Sequence, residues 1–235
     1  IFQALLGMWT VTMMLMPVVV MGHLLGGLTL FCLLALTYWG LQSRQTPNLG
    51  EYKPAGVTLK LLAAITFVVV VMQIALGGWT SSNYAALMCT TLPICEGNWT
   101  SYLDFSRAFE LIQPKRDSYE FGTLDYGARM TIHVTHRIGA VVVTVFAVTL
   151  ALMLLAEKSP IYAKVAKGIL AMLAVQIALG VGNVLLSLPL LVAVAHNLGA
   201  AILLLTVLRT NYLIWQVNQQ IEMDSRLFNK ESAHE

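Results

Sequence analysis

The stretch AVAHNLGAAILLL, residues 193–205, decides the fold class because it is almost wholly apolar and carries one imidazole, that of His196. It lies within an apolar segment at 190–214. A segment of about 20 apolar residues is long enough for a helix to cross the hydrocarbon core of a bilayer. An ionisable side chain is costly in such a segment, so His196 is a candidate functional residue.

The composition of the whole chain is typical of a membrane protein. Of its 235 residues, 57% are hydrophobic and 11% are charged, whereas a soluble domain carries about 25% charged residues. Residues 1–8 look like the end of one helix, and four further apolar segments lie at 17–41, 59–79, 129–155 and 164–186. We therefore predict an all-α integral membrane protein, a transmembrane helical bundle. The net charge of +2 gives no sign of nucleic-acid binding, and we expect no such partner.

The distribution of cationic residues predicts the orientation of the chain. If the spans alternate in direction, one side of the membrane receives Arg44, Lys53, Lys60, Lys158, Lys164, Lys167, Arg209, Arg226 and Lys230. The positive-inside rule places that side in the cytoplasm. The long polar loop at 80–128 then faces outward, and we expect a multi-pass protein of the bacterial cytoplasmic (inner) membrane.

Two short patterns recur along the chain. Gln-x-x-Leu-Gly begins at Gln3, Gln73 and Gln176, and His-x-x-Gly-small begins at His23, His136 and His196. Gln3 precedes His23 by twenty residues, as Gln176 precedes His196. The repeats predict duplicated helix pairs. We expect a remnant of an N-terminal four-helix half at 1–58, a complete C-terminal half at 59–215 and a cytoplasmic tail at 216–235.

The three histidines lie at similar depth, about 10 Å into inward-running helices at 1.5 Å per residue. Gly139 and Gly199 each follow a histidine by three residues and share its helix face, where they would let a flat group such as a porphyrin approach. Two imidazoles from facing helices suit the axial positions of a haem iron. His136 and His196 are therefore candidate haem ligands, with hydrogen-bonded packing residues as the alternative.

Other polar residues have two interpretations each. Arg137 either pairs with a haem propionate near the outer face or extends to the lipid headgroups. Cys89 and Cys95 form either a structural disulfide or a redox-active pair on the side where disulfides persist. His133, one turn before a candidate ligand, either supports that ligand or lines the mouth of the site.

Three stretches resemble the haem A synthase family of cytochrome oxidase assembly proteins: ALGGWTSSNYAALMCTTLPICEGNW (75–99), HVTHRIGA (133–140) and NVLLSLPLLVAVAHNLGAA (183–201). GMWTVTMMLMPVVVMGHLLGG (7–27) is similar to the family's third-to-fourth helix region. The resemblance covers nearly the whole chain up to about Trp215. It implies eight helices in two four-helix halves, each with a histidine pair. It also implies oxidation of a methyl group of haem O to the formyl group of haem A.

Carried over by motif, the resemblance implies that His136 and His196 ligate a haem b. It implies that His23 is one of two histidines handling the substrate haem, and that Cys89 and Cys95 are the family's outer-loop cysteine pair. The family's first two helices, with a Glu-x-x-x-x-His-Arg segment, have no counterpart in these residues. The catalytic Glu and the partner of His23 are therefore expected to be missing, and the chain alone is expected to have little or no activity.

The expected partners are haem O, the lipid bilayer, haem O synthase and cytochrome oxidase subunits. One alternative is a bis-histidine membrane b-type cytochrome that only transfers electrons. A transporter is another alternative, because internal repeats are common in transporters. The spans lack the buried carboxylates and the Gly/Pro-interrupted helix pairs of transporter sites, and a second haem site at His23 favours the oxidase over the electron carrier.

Overall fold

A computed structural model describes residues 1–43 and 55–231, with the side chains of 1–42 and 55–219. All regular structure within these ranges is helical, which confirms the predicted fold class. The helices are α1 (Phe2–Thr12), α2 (Pro17–Ser43), α3 (Val57–Ser82), α4 (Phe105–Ala108), α5 (Tyr126–Ala156), α6 (Pro160–Leu185) and α7 (Leu190–Glu231), with a 3₁₀ turn at Trp99–Tyr102.

The five predicted spans are confirmed, since α2, α3, α5, α6 and α7 are each long and apolar enough to cross a membrane. Lipid offers no hydrogen-bond partners, so an uninterrupted apolar segment satisfies its backbone by becoming a helix. Pro17 and Pro160 begin α2 and α6, where the missing proline N–H costs nothing.

Helix α7 continues beyond the predicted apolar span at 190–214, as far as Glu231. The segment at 216–235 therefore starts as a continuation of the helix. The loop cations Arg44 and Lys53 lie outside the described residues, as do the side chains of Arg226 and Lys230.

Four helices form a bundle in which each contacts two others. The contacts run from α3 to α5, from α5 to α6, from α6 to α7 and from α7 back to α3. In the described part of the chain, α5 and α7 make no backbone contact, so they are diagonal across the bundle. Helix α2 packs outside this group against α3 and α7, and α1 packs against α2. The predicted division at 58 and 215 stays a prediction.

The tightly packed core occupies the half of the bundle away from the long loop. Its fully buried members include Ala63, Ala147, Leu150, Ala166 and Val207. The alanines let neighbouring helix backbones approach closely, as small residues do in membrane bundles. A second, smaller cluster of buried residues lies at the loop end and includes Trp79, Ala128 and Ile132.

Three helices end in the same turn, which extends the repeat beyond the pattern visible in the sequence. The main-chain N–H of Leu15, Ala85 and Leu188 each donates to a carbonyl five residues earlier, at 2.9, 2.9 and 2.7 Å. A residue with positive φ precedes each donor, at 52°, 54° and 59°. As a result α1–α2 and α6–α7 are closely similar hairpins, whereas α3 and α5 are separated by the long loop.

The long loop packs against the end of α3 and the turn between α1 and α2. Trp79 Nε1 donates to the carbonyl of Ala108 at 2.8 Å, which fixes the loop to the end of α3. The N–H of Tyr119 donates to the carbonyl of Met14 at 3.0 Å, in the turn between α1 and α2. The loop thus connects the first hairpin to the four-helix bundle.

Candidate functional site

Each candidate histidine contacts the glutamine of a Gln-x-x-Leu-Gly segment on the helix packed beside it. The amide nitrogen to ring nitrogen distances are 3.0 Å for Gln3 Nε2 to His23 Nδ1, 3.1 Å for Gln73 Nε2 to His136 Nδ1 and 3.4 Å for Gln176 Nε2 to His196 Nε2. The same amide nitrogens donate to the main-chain carbonyls of the same histidines, at 2.5, 2.9 and 3.0 Å. Each glutamine therefore binds both the ring and the backbone of one histidine.

The last glycine of each Gln-x-x-Leu-Gly segment lies against the imidazole. A Cβ added at Gly77 would lie 3.1 Å from Cε1 of His136, which is tighter than ordinary van der Waals contact. The corresponding distances at Gly7 and Gly180 are 3.0 and 3.2 Å to the other two rings. Each ring thus rests on a bare stretch of helix backbone, and a larger residue would displace it.

The glycines that follow the histidines make room for the glutamines. A Cβ at Gly139 would overlap Oε1 of Gln73, and one at Gly199 would overlap Oε1 of Gln176. The space beside Gly139 and Gly199, where a flat ligand was predicted to approach, is therefore occupied by a glutamine side chain. This packing is a second reason for glycine at both positions, and their role in binding a cofactor stays a prediction.

His136 and His196 lie on the diagonal helices α5 and α7 of the four-helix bundle, whose backbones do not touch. Each imidazole contacts a glutamine on a neighbouring helix of the same bundle. The structure therefore places these two predicted residues in one bundle. His23 is on α2, outside the four-helix group, with its own glutamine.

The bundle is not closely packed at the level of these two histidines. No residue is buried in four segments, 71–78 of α3, 135–142 of α5, 174–185 of α6 and 190–198 of α7. A filled protein interior buries the inward-facing side chains at every level, as Ala147 is buried lower in α5. The layer that contains the imidazoles is therefore less tightly packed than the layer around Ala147.

Several buried polar atoms in this layer lack a hydrogen-bond partner among the described residues. They include Nδ1 of His196 and the amide oxygens of Gln3, Gln73 and Gln176. Leaving a buried polar group unpaired costs about 1–3 kcal/mol, and native structures leave few such groups without a reason. The concentration of unpaired atoms beside the imidazoles indicates that this layer is built for a further partner.

Arg137 binds the loop that carries the cysteines. Its Nη1 donates to the carbonyl of Thr91 at 2.8 Å and lies 3.1 Å from Sγ of Cys89, and its Nη2 donates to the carbonyl of Cys89 at 2.6 Å. Neither of the two predicted roles of Arg137 included this contact. Because a guanidinium has five N–H donors, two of them are still uncommitted, and pairing with a propionate stays a prediction.

Cys89 and Cys95 form a disulfide, with their Cα atoms 5.4 Å apart. This confirms the predicted pairing. Close by, His133 is buried and its Nδ1 lies 2.9 Å from the carbonyl of Ala85, at the start of the same loop. A carbonyl only accepts hydrogen bonds, so Nδ1 of His133 is the donor. His133 therefore fastens the loop to α5.

The three glutamines are functional candidates as well. The Gln-x-x-Leu-Gly repeat contains them, but it does not indicate what they contact. Gln3 and Gln176 each precede a histidine by twenty residues, on opposite sides of a short turn. Residues placed symmetrically about a turn face each other in a helical hairpin, so this spacing was a usable signal. Gln73 and His136 are 63 residues apart, and their contact cannot be read from spacing.

Five long apolar helices, four of which form a bundle that contains His136 and His196, define a multi-pass helical membrane protein with two glutamine-bound histidines in its bundle. The family model described as "Cytochrome oxidase assembly protein" matches residues 1–208. The chain belongs to that family.

Three relatives are named "Heme A synthase". The protein from Shewanella oneidensis is 48% identical over 215 residues, which is 92% of this chain and 64% of that relative. The protein from Methylobacterium radiotolerans is 32% identical over 150 residues, or 63% of this chain and 38% of the relative. The protein from Paracoccus denitrificans is 29% identical over 186 residues, or 79% and 45%. The chain thus spans less than two thirds of the length of each relative.

Proposed function

We propose that the complete protein is a haem A synthase, an oxidoreductase that converts a methyl group of haem O into the formyl group of haem A for cytochrome oxidase assembly. Two findings support this proposal: the match to the cytochrome oxidase assembly protein family and the name of the relative that is 48% identical over 92% of this chain. Haem O is then the substrate, and haem O synthase and cytochrome oxidase subunits are the proposed protein partners.

The observation that carries the proposal is the placement of His136 and His196 on the diagonal helices of one bundle, each with the same kind of glutamine contact. A porphyrin supplies four nitrogens to its iron, so two protein imidazoles would complete its coordination. The residues present fit this group, because Nδ1 of His196 is buried without a partner among the described residues and none of them bonds to Nε2 of His136. A haem b, bound without a covalent link, would supply one-electron redox chemistry at this position.

The residues of the chain bind and orient this group. Gln73 and Gly77 hold the ring of His136 from two sides. Arg137, with its uncommitted N–H donors, is placed to pair with a propionate at the loop side of the layer. The loop itself is fixed by the disulfide and closes the outer end of the bundle.

We further propose that His23 contributes to the substrate site. It has the same glutamine and glycine contacts as the other two histidines. Its helix packs directly on α3, where a Cβ at Gly78 would lie 2.6 Å from Cδ2 of Leu24. The proposed substrate site is therefore next to the proposed redox site, on the neighbouring helix.

The function is tested by pigment extraction from cells that make haem O and express the complete protein. We expect haem A from the wild type and a six-coordinate, low-spin haem spectrum in the purified protein. His136→Ala and His196→Ala should each abolish that spectrum, whereas the control His133→Gln, one turn away on the same helix, should keep it. A spectrum that survives His196→Ala would show that the pairing is wrong. Haem b and haem O without haem A would favour the electron carrier.

We also propose that the long loop faces the outside of the cytoplasmic membrane. The test uses a membrane-impermeant thiol reagent on intact cells and two exposed positions, Ser101 in the loop and Lys158 between α5 and α6. Ser101→Cys should be labelled in intact cells, and Lys158→Cys only after permeabilisation. The reverse pattern would invert the proposed orientation.

A further inference from the structure

We propose that Gln73 and Gln176 are positioning residues for the haem ligands His136 and His196. Each amide orients its imidazole and provides the acceptor for the ring N–H that iron does not use. This inference rests on the proposed function, because it concerns the ligands named there.

The glutamine–histidine contact recurs in three places, and each is formed by a different pair of helices. It joins α1 to α2, α3 to α5 and α6 to α7, and each time the same amide nitrogen meets both the imidazole and the carbonyl of one histidine. The pair on α3 and α5 keeps this arrangement although the long loop separates its members. A glutamine that only filled space would not need to place its amide nitrogen in the same way each time.

The contact fixes the orientation of the ring. In the best-formed pair, the Gln73 amide nitrogen lies 2.9 Å from the carbonyl of His136 and 3.1 Å from its Nδ1. The amide nitrogen of Gln73 thereby links the ring of His136 to the main chain of the same residue. On another side the ring rests on Gly77. Because these contacts restrict both side-chain torsions, Nε2 of His136 is held in one direction, and no described residue bonds to it.

The orphaned amide oxygen shows why glutamine is suited to this position. A carbonyl only accepts hydrogen bonds, so the atom facing the carbonyl of His136 is the amide nitrogen, and its second hydrogen points to Nδ1. A neutral imidazole that coordinates through Nε2 carries its proton on Nδ1, and that N–H requires an acceptor. The buried, unpartnered Oε1 of Gln73 is on the same amide group. A rotation of the amide that keeps Nε2 on the carbonyl of His136 and brings Oε1 to Nδ1 would therefore supply the acceptor.

His196 is held less completely than His136. Gln176 lies 3.0 Å from the carbonyl of His196 but 3.4 Å from its Nε2, and Nδ1 of the ring has no partner. The Gln73 pair is therefore the sharper test, and the Gln176 pair is expected to respond in the same direction.

The experiment replaces Gln73 in the complete, haem-loaded protein with two residues of similar length. Gln73→Met removes both hydrogen-bonding groups, and Gln73→Glu keeps an acceptor but makes it stronger. The matched control is Gln113→Met, which changes a buried glutamine of the long loop whose amide donates to Oδ1 of Asn83, at the end of α3, at 2.7 Å. The measurements are haem affinity, the electron paramagnetic resonance spectrum of the ferric low-spin haem and its midpoint potential.

We expect Gln73→Met to bind haem about 10- to 100-fold more weakly, the usual effect of removing a partner of a metal-ligating histidine. An acceptor on Nδ1–H makes the imidazole more basic, which favours ferric iron. Gln73→Met should therefore raise the midpoint potential and Gln73→Glu should lower it. A tenfold change in the ratio of ferric to ferrous affinity corresponds to about 59 mV for a one-electron couple. Gln113→Met should leave the potential unchanged.

The outcomes separate this inference from the proposed function. Loss of the low-spin spectrum in His136→Ala, together with opposite shifts in the two Gln73 variants, supports both. Loss in His136→Ala with an unchanged potential in both Gln73 variants overturns the positioning role and leaves the function intact. A low-spin spectrum that survives His136→Ala overturns the ligand assignment and the inference with it. If Gln73→Met does not accumulate in the membrane, Gln73→Glu decides, and an unshifted or raised potential overturns the inference.

Discussion

Enlarging Gly77 by one methyl group is expected to weaken haem binding without weakening the helical fold. A Cβ at this position would lie 3.1 Å from Cε1 of His136 and 3.8 Å from both ring nitrogens, so the nearest ring atom must retreat by a few tenths of an ångström. The ring cannot retreat freely, because Gln73 holds its Nδ1 at 3.1 Å. Gly77→Ala therefore forces the proposed ligand out of its position.

The magnitude follows from two opposing effects. Overpacking of this kind costs about 1–3 kcal/mol. If the whole cost falls on the ligated state, haem affinity drops roughly 5- to 150-fold at 1.4 kcal/mol for each tenfold change. Replacing glycine by alanine inside a helix gains up to about 1 kcal/mol, so the haem-free protein should unfold at nearly the same temperature as the wild type.

The assay is haem titration of the purified membrane protein, followed by thermal unfolding of the haem-free form. The matched control is Gly168→Ala on α6, where a Cβ would lie 3.4 Å from Cγ2 of Thr206, an ordinary contact. The control should keep wild-type haem affinity. If Gly77→Ala also kept wild-type affinity and the wild-type spectrum, the ring of His136 would not be held against α3, and the reasoning would be refuted.

Three further predictions concern the outer loop. Arg137→Lys removes the forked arrangement of donors that binds the loop, and each lost charged hydrogen bond costs about 1.5–3 kcal/mol. Limited proteolysis should therefore cut the loop faster, and unchanged cleavage would contradict this role. Trp79→Phe leaves the carbonyl of Ala108 unpaired and should lower the free energy of unfolding by about 1–3 kcal/mol in a denaturant titration, whereas an unchanged midpoint would show that the bond is dispensable. The hydroxyl of Ser106 and two backbone N–H groups hold the pKa of Asp104 below its ordinary value of 3.8, so the carboxylate stabilises α4 above that pH and loses this effect as the pH falls further. Hydrogen-exchange protection of the Ser106 amide should therefore decrease below pH 3.8 and become insensitive to pH in Asp104→Asn; equal behaviour of both proteins would refute the capping role.

Much of the candidate site could be predicted because its residues are polar groups in otherwise apolar segments, or cysteines in a polar loop. A histidine in an apolar span is rare, and His23, His136 and His196 were found for that reason. The cysteine pair was found in the same way, because its two members lie six residues apart in a polar loop. The roles of Arg137 and His133 could not be predicted, because both bind main-chain carbonyls of the loop. Every residue has a main-chain carbonyl, so the sequence does not indicate which one a side chain will bind.

The sequence by itself determined the helices and their approximate ends. About 20 apolar residues in lipid have no alternative to a helix, since every backbone group must find its partner within the segment. Gln176 and His196 are twenty residues apart on either side of a short turn, and this spacing predicts that they face each other. Their hydrogen-bond contact is seen only in the structure. Where a polar segment continues a helix, as α7 does to Glu231, the hydrophobic pattern gives no boundary.

Only the tertiary structure decided which helices are diagonal and which side chains meet. The placement of His136 and His196 in one bundle depends on α5 and α7 being diagonal in it, and no local pattern encodes that arrangement. The contact of Gln73 with His136 spans 63 residues and depends on how the long loop returns the chain to α3. Contacts within one helix or one hairpin follow from periodicity, but contacts between separated helices follow from the packing of the whole bundle.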